Sequence, residues 1–177
     1  MATLVGSRVA TAPAGVSDER VKSAGLGQIV VSSNQDDVLV AYGLGSCVGV
    51  VGYDPQAKIA GLLHALLPQH RNGEANYAKF VDTGIPQLVR EMESYGARRR
   101  NTIWYVVGGA EMLRVPGMSG EFNIGTRNAE VARAVMAREG LRIKAIDVGG
   151  TAGRTVKITV RDGIVTVRTL GKAECQL

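Results

Sequence analysis

Val48-Gly49-Val50-Val51-Gly52-Tyr53-Asp54-Pro55-Gln56-Ala57-Lys58-Ile59-Ala60-Gly61-Leu62-Leu63-His64-Ala65-Leu66-Leu67 is two runs of strand-forming residues around a turn signal. Proline presets φ at the second turn position, and an Asp side chain can bond the backbone two residues on. Pro55 favours a type I or II turn over the primed turns of two-residue hairpins, so a four-residue connection is expected. Setting Tyr53 against Lys58 puts Val51 opposite Ala60, Gly49 opposite Leu62, and Cys47 opposite His64. Directly opposed side chains have Cβ atoms about 4.5–5.5 Å apart, so this register predicts a sulfur–imidazole contact. A slip of one residue would send the two groups to opposite faces.

Cys47 ends a glycine-rich turn, Gly43-Leu44-Gly45-Ser46-Cys47, in a chain with two cysteines and two histidines. A free cysteine in such a place is most simply a small buried core residue. His64 argues for more. Flanked by Leu62, Leu63, Leu66 and Leu67, a lone imidazole is costly to bury without a partner. A partner thiol would gain a general base and a lowered pKa. The turn residues Gly45 and Ser46 leave backbone N–H groups, with that of Cys47, free to face a developing oxyanion. His70 follows Pro68 in a polar loop and reads as merely exposed. Cys175 lies near the C-terminus. With no further thiols, neither a disulfide framework nor a four-ligand zinc site is expected, and no cofactor is implied. Gly43-Leu44-Gly45 after a strand invites a dinucleotide reading. That fingerprint needs a helix to begin at the turn so that its amides meet phosphate, whereas Val48-Gly49-Val50-Val51 continues as strand.

The 177 residues predict one domain, and the 45% hydrophobic content is enough for a core. No apolar run is long enough for a membrane-spanning helix, and the N-terminus lacks a basic-then-apolar leader pattern, so a cytoplasmic location is expected. The net charge of +5 includes one basic run, Arg98-Arg99-Arg100, with no interleaved aromatics. That suits a solvated basic surface or an acidic protein partner better than nucleic acid.

Residues 1–27 are expected to be peripheral or flexible, and 28–177 to form the domain. Strands are predicted at 28–32, 38–42, 47–53, 58–67, 102–107, 142–148, 155–160 and 164–170, the last two joined at Asp162-Gly163. A helix from Asn76 to about Tyr95 carries Tyr77, Phe80, Val81, Ile85, Leu88, Val89 and Met92 at helical spacing and stops at Gly96. Pro86 predicts a kink or break near 83–85. A second helix opens at Asn123 or Thr126 and runs to about Glu139, with Val131, Ala134, Val135 and Arg138 on one face and Gly140 as the stop. The order implies an α+β layered domain: a mixed sheet with β-hairpins and two main helices.

These residues also resemble a known family. Gly43-Leu44-Gly45-Ser46-Cys47, Tyr53-Asp54-Pro55, and His64 with Leu67-Pro68 are similar to the bacterial chemoreceptor glutamine deamidase family CheD. So are Tyr77-Ala78-Lys79-Phe80-Val81-Asp82-Thr83, Ile85-Pro86, Val107-Gly108-Gly109-Ala110, Asn123-Ile124-Gly125-Thr126-Arg127-Asn128, and Asp147-Val148-Gly149-Gly150 with Gly153-Arg154. The resemblance implies a hydrolase of side-chain amides, a protein-glutamine glutaminase of bacterial chemotaxis. It also implies an α/β/α-type fold like that of deamidating toxins. Cys47 inherits the nucleophile's role and His64 that of acid and base. The implied partners are chemoreceptor cytoplasmic helices and a CheC-type phosphatase, with no nucleic acid and no membrane insertion. One position departs from the pattern. The family has a third catalytic residue, a threonine six residues before the cysteine, where this chain has Ala41. That substitution sets a second expectation beside the first: a catalytically weakened CheD-like binding module that regulates the CheC phosphatase or docks on receptors. On it, Ala41→Thr should raise activity.

Overall fold

The computed structural model describes residues 20–112 and 123–177. In chain order these form strands β1 (Arg20–Ser23), β2 (Gln28–Ser32), β3 (Asp37–Leu44), β4 (Val48–Asp54) and β5 (Ile59–Ala65), then helix α1 (Val81–Ser94), strand β6 (Ile103–Gly108) and helix α2 (Ile124–Arg138). Strands β7 (Arg142–Val148), β8 (Arg154–Thr159), β9 (Val165–Thr169) and β10 (Glu174–Gln176) follow.

The strands divide into two mixed sheets, β2-β5-β4-β6-β7 and β1-β3-β8-β9-β10. The first is central. Val48, Val50, Leu63, Trp104 and Val106 on one face meet Ile85, Leu88, Val89 and Met92 of α1 and Ala132, Val135 and Met136 of α2. Val51, Tyr53, Ala60, Leu62, Tyr105 and Val107 on the other face meet Leu39, Ala41, Val156, Ile158, Val165 and Val167 of the second sheet. The α+β architecture with two helices and β-hairpins therefore holds, but its layers run helix, sheet, sheet in place of α/β/α, and the single mixed sheet becomes two. The burial patterns give the reason. Every residue of β4 and β5 is buried, as a sheet covered on both faces requires, while β8 alternates buried and half-buried along its length.

The hairpin forms with its register moved by two. Gly49 opposes His64, and the last pair is Asp54 with Ile59. The Asp54 carboxylate is the cause. Its Oδ1 accepts from the amides of Gln56 (2.9 Å) and Ala57 (3.1 Å), and its Oδ2 from that of Arg98 (2.8 Å). The loop becomes Pro55–Lys58, closed by Lys58 in the left-handed region at φ 56°. A shift of two preserves the faces, so Cys47 and His64 remain on the same side of the sheet.

The first helix begins later than expected. Asn76 caps a short 3-10 turn, Tyr77–Lys79, its side chain accepting from the Ala78 amide; the chain is extended at Phe80, and α1 then runs through Pro86. The break therefore falls at Phe80 rather than at 83–85. Asn123 caps α2 by accepting from the Thr126 amide at 3.1 Å. Its buried face is Gly125, Asn128, Ala129, Ala132, Val135 and Met136, turned away from the expected one except at Val135. Both helices end in left-handed glycines, Gly96 and Gly140, with the paired 6→1 and 5→2 bonds of a Schellman motif.

Residues 20–27 are part of the domain rather than peripheral to it. Strand β1 pairs in parallel with β3, and Ala24 is buried. Residues 1–19 lie outside the described region. Three links cross between the sheets at one end of the molecule: 24–27 from β1 to β2, 45–47 from β3 to β4, and 149–153 from β7 to β8. The site lies where they converge.

Candidate active site

Cys47 is the last residue of the link from β3 to β4, and its carbonyls are tied down on every side. The Gly45 carbonyl accepts from Ala110 N–H (2.8 Å) and the Cys47 carbonyl from Gly109 N–H (2.7 Å). Gly108 must be glycine, because at φ 110° a β-carbon there would overlap the Cys47 carbonyl oxygen. Among the described residues the amides of Ser46 and Cys47 donate to no carbonyl. The turn thus sets beside a half-buried sulfur two N–H donors that no carbonyl among the described residues occupies, as an oxyanion site requires.

His64, 2% exposed, sits diagonally across the hairpin from Cys47. Diagonal neighbours on one face are about 7–8 Å apart, within reach of long side chains. The directly opposed residue, Gly49, has no side chain to come between them. The His64 ring is held from outside the hairpin. Its Nδ1 lies 3.1 Å from the carbonyl of Ala24, whose own N–H donates to the Val40 carbonyl at 2.8 Å. A carbonyl can only accept, so Nδ1 carries the proton and Nε2 keeps its lone pair. Nε2 is buried and has no hydrogen-bond partner among the described residues.

Burial lowers the His64 pKa below its ordinary 6.5, against the smaller opposing pull of the Ala24 carbonyl. Burial likewise pushes the Cys47 thiol above its ordinary 9.0, only partly offset by its own backbone N–H. The expected lowering of the thiol is thus reversed. A neutral imidazole offers no charge to stabilise a thiolate, so desolvation decides the direction. At neutral pH the resting pair is thiol and neutral imidazole.

Asn128 joins the two halves of the site. Fully buried on α2, its amide nitrogen donates to the Ser46 carbonyl and to the Leu66 carbonyl, each at 2.8 Å. One side-chain NH₂ therefore clamps the cysteine turn to the end of the histidine strand. Arg154, 8% exposed, braces the neighbouring link: it pairs with Asp147 at 3.1 Å and donates to the Gly149 carbonyl at 2.8 Å. That link meets the site through Glu111 N–H donating to the Gly150 carbonyl.

Residues 66–169 match the family CheD, described as CheD chemotactic sensory transduction. A "Probable chemoreceptor glutamine deamidase CheD" of Symbiobacterium thermophilum is 42% identical over 92% of this chain and 100% of that protein. The chain belongs to the CheD family. Another CheD relative with the same printed name, from Desulforamulus reducens, is 42% identical over 75% of this chain and 81% of its own. A third, from Methanococcus maripaludis, is 37% identical over 81% and 92%.

Set against the CheD pattern, the expected site residues fall as follows. Cys47, His64, Gly45 and Ser46 come together at the crossing of the sheets. Ala41, at the vacated third position, is fully buried in the layer between the sheets. Cys175 is remote, its sulfur against the Val167 carbonyl. His70 is not merely exposed: its ring stacks on Tyr77 at 4.9 Å and meets Phe80 edge-on. Ala24 and Asn128 were missed as site residues. Nothing in the sequence marks a backbone carbonyl at residue 24. Asn128 had a signal, since a polar residue in register with Ala129, Ala132 and Val135 must find partners when buried.

Proposed function

We propose that the chain is a chemoreceptor glutamine deamidase that uses Cys47 as nucleophile and His64 as its single acid and base. The observation that carries this reading is the His64 tautomer, which leaves an unpartnered Nε2 on the thiol's side of the hairpin. The thiol sulfur attacks the side-chain amide carbon as its proton passes to Nε2, and the oxyanion forms against the amides of Ser46 and Cys47. The imidazolium returns that proton to the departing nitrogen, and ammonia leaves a thioester. Water then gives a proton to Nε2 and attacks the thioester, releasing glutamate, and the thiol regains its hydrogen. Receptor cytoplasmic helices are the partner this reaction needs, and a cytoplasmic location goes with this reading. The resemblance implies a CheC-type phosphatase as a second partner. The test is mass spectrometry of a receptor cytoplasmic domain after incubation with the protein. Conversion of individual glutamines to glutamate is expected, and an unchanged receptor domain would sink the reading.

Ala41 does not leave the imidazole unoriented, because the Ala24 carbonyl supplies the acceptor a threonine hydroxyl would offer. Ala41→Thr is therefore expected to change kcat by less than about threefold, and to lose about 1–3 kcal/mol of stability if its hydroxyl is buried without a partner. A large gain in kcat would favour the weakened binding module instead.

The pH profile follows from the neutral pair. His64 must be unprotonated to accept the thiol's proton, and its pKa lies below 6.5, so the acid limb falls below 6.5. The thiol keeps its proton until above 9.0, beyond which no proton remains for Nε2 to pass to ammonia. A broad plateau between these values is expected for kcat/KM, with iodoacetamide alkylation of Cys47 rising only on the alkaline side. Rapid alkylation near neutrality would instead mean a thiolate–imidazolium pair.

A further inference from the structure

A groove of about 160 Å³ opens beside the cysteine turn, lined by Leu67, Pro68, Gln69, His70, Arg71 and Arg127. Its position is fixed by the Asn128 clamp. Arg127 precedes Asn128, and Leu67 follows Leu66, whose carbonyl Asn128 holds together with that of Ser46. The groove therefore starts one residue from the clamp on both sides, and Ser46 is the neighbour of Cys47. Its floor is firm: Leu67 N–H donates to the Lys79 carbonyl, Val81 N–H to the Leu67 carbonyl, and Asp82 N–H to the Pro68 carbonyl. Arg71 and Arg127 are exposed, and among the described residues neither guanidinium meets a carboxylate. Two acids of this rim are engaged elsewhere, Asp82 by the His70 amide at 2.8 Å and Glu74 by Lys79 at 3.3 Å, while Glu130 lies exposed three residues along α2 from Arg127.

We propose that this groove recognises a carboxylate on the substrate segment carrying the target glutamine, with Arg127 and Arg71 as the recognising residues. The proposal rests on the deamidase reading and adds a substrate preference to it. Two guanidinium forks that meet no carboxylate among the described residues, on a groove that begins one residue from the clamp on the cysteine turn, suit the planar carboxylate of Asp or Glu. An acid within roughly one helical turn of the glutamine can reach them while the amide sits at Cys47.

The test uses peptides with one glutamine flanked by glutamate, alanine or lysine, assayed with wild type and with the Arg71→Glu, Arg127→Glu double variant. Wild type is expected to show a KM about three- to tenfold lower for the acidic peptide than for the alanine peptide, an advantage that shrinks with added salt. The double variant is expected to reverse the order and favour the lysine peptide, a swap that mere structural damage cannot produce. Equal kcat/KM for all three peptides with wild type overturns the preference while leaving the deamidase reading intact. If wild type deamidates neither peptide nor receptor domain, the deamidase reading falls instead. The groove is then judged by peptide binding to the Cys47→Ala protein, where equal affinity for acidic and alanine peptides overturns it.

Discussion

Cys47→Ala is expected to abolish deamidation of a receptor domain, and His64→Ala to lower kcat by about 10³-fold or more, with either variant still folded by circular dichroism. General acid–base catalysis contributes about 10²–10⁴-fold in a single role. Here one nitrogen serves four proton transfers: off the thiol, onto the departing nitrogen, off water, and back onto the sulfur. The Ala24 carbonyl holds Nδ1, and among the described residues no other group bonds Nε2 to take over its role. The double variant should be no worse than Cys47→Ala alone, since groups acting as a unit are not additive. His64→Gln sharpens the test. Its amide can still donate to the Ala24 carbonyl and preserve packing, yet it cannot carry a proton. If His64→Gln kept a tenth of the wild-type kcat, His64 would be a structural residue and the mechanism would be wrong.

How far the sequence alone reached is clearest at the hairpin. Asp54-Pro55 located the turn, and the period of two put Cys47 and His64 on one face. The step along the strand went astray because Asp54 bonds three amides, one of them Arg98 from a distant segment. No local rule places that third donor. The layer order was nearer to hand. Val48–Tyr53 and Leu62–Leu63 are apolar without interruption, whereas Thr155-Val156-Lys157-Ile158-Thr159-Val160 alternates. Strands so different in pattern belong to sheets of different exposure, one covered on both faces and one on a single face. The face of α2 was misjudged because Asn128 and Gly125 count as polar and small in a periodicity argument, though both are buried. Gly125 packs so closely on the Ala110 carbonyl that a β-carbon there would overlap it. Ala24 was beyond reach: its contribution is a backbone oxygen, and only the crossing from β1 to β2 brings it to the imidazole.

The clamp at Asn128 carries the other large effect. Asn128→Ala removes both donors that hold the Ser46 and Leu66 carbonyls, leaving two half-buried acceptors without that partner at no more than about 1–3 kcal/mol each. The turn bearing Cys47 and the strand end beyond His64 would then be free to drift apart. A misplacement of about 1 Å between reacting groups can cost about 10²-fold, so kcat is expected to fall about 10- to 100-fold with KM within about threefold. Asn128→Asp should be worse at neutral pH, since it sets a carboxylate against two carbonyl oxygens. Stability loss alone cannot produce this pattern, and Met136→Ala supplies the control. Met136 is fully buried on the same helix and packs in the core rather than against the turn. Its truncation should cost about 2–5 kcal/mol while leaving kcat nearly unchanged below the melting transition. Equal losses of kcat in the two variants would reduce Asn128 to a packing residue. A kcat loss confined to Asn128 would show that thiol and imidazole, one on a turn and the other on a strand, are kept in register by one amide from a helix that carries neither.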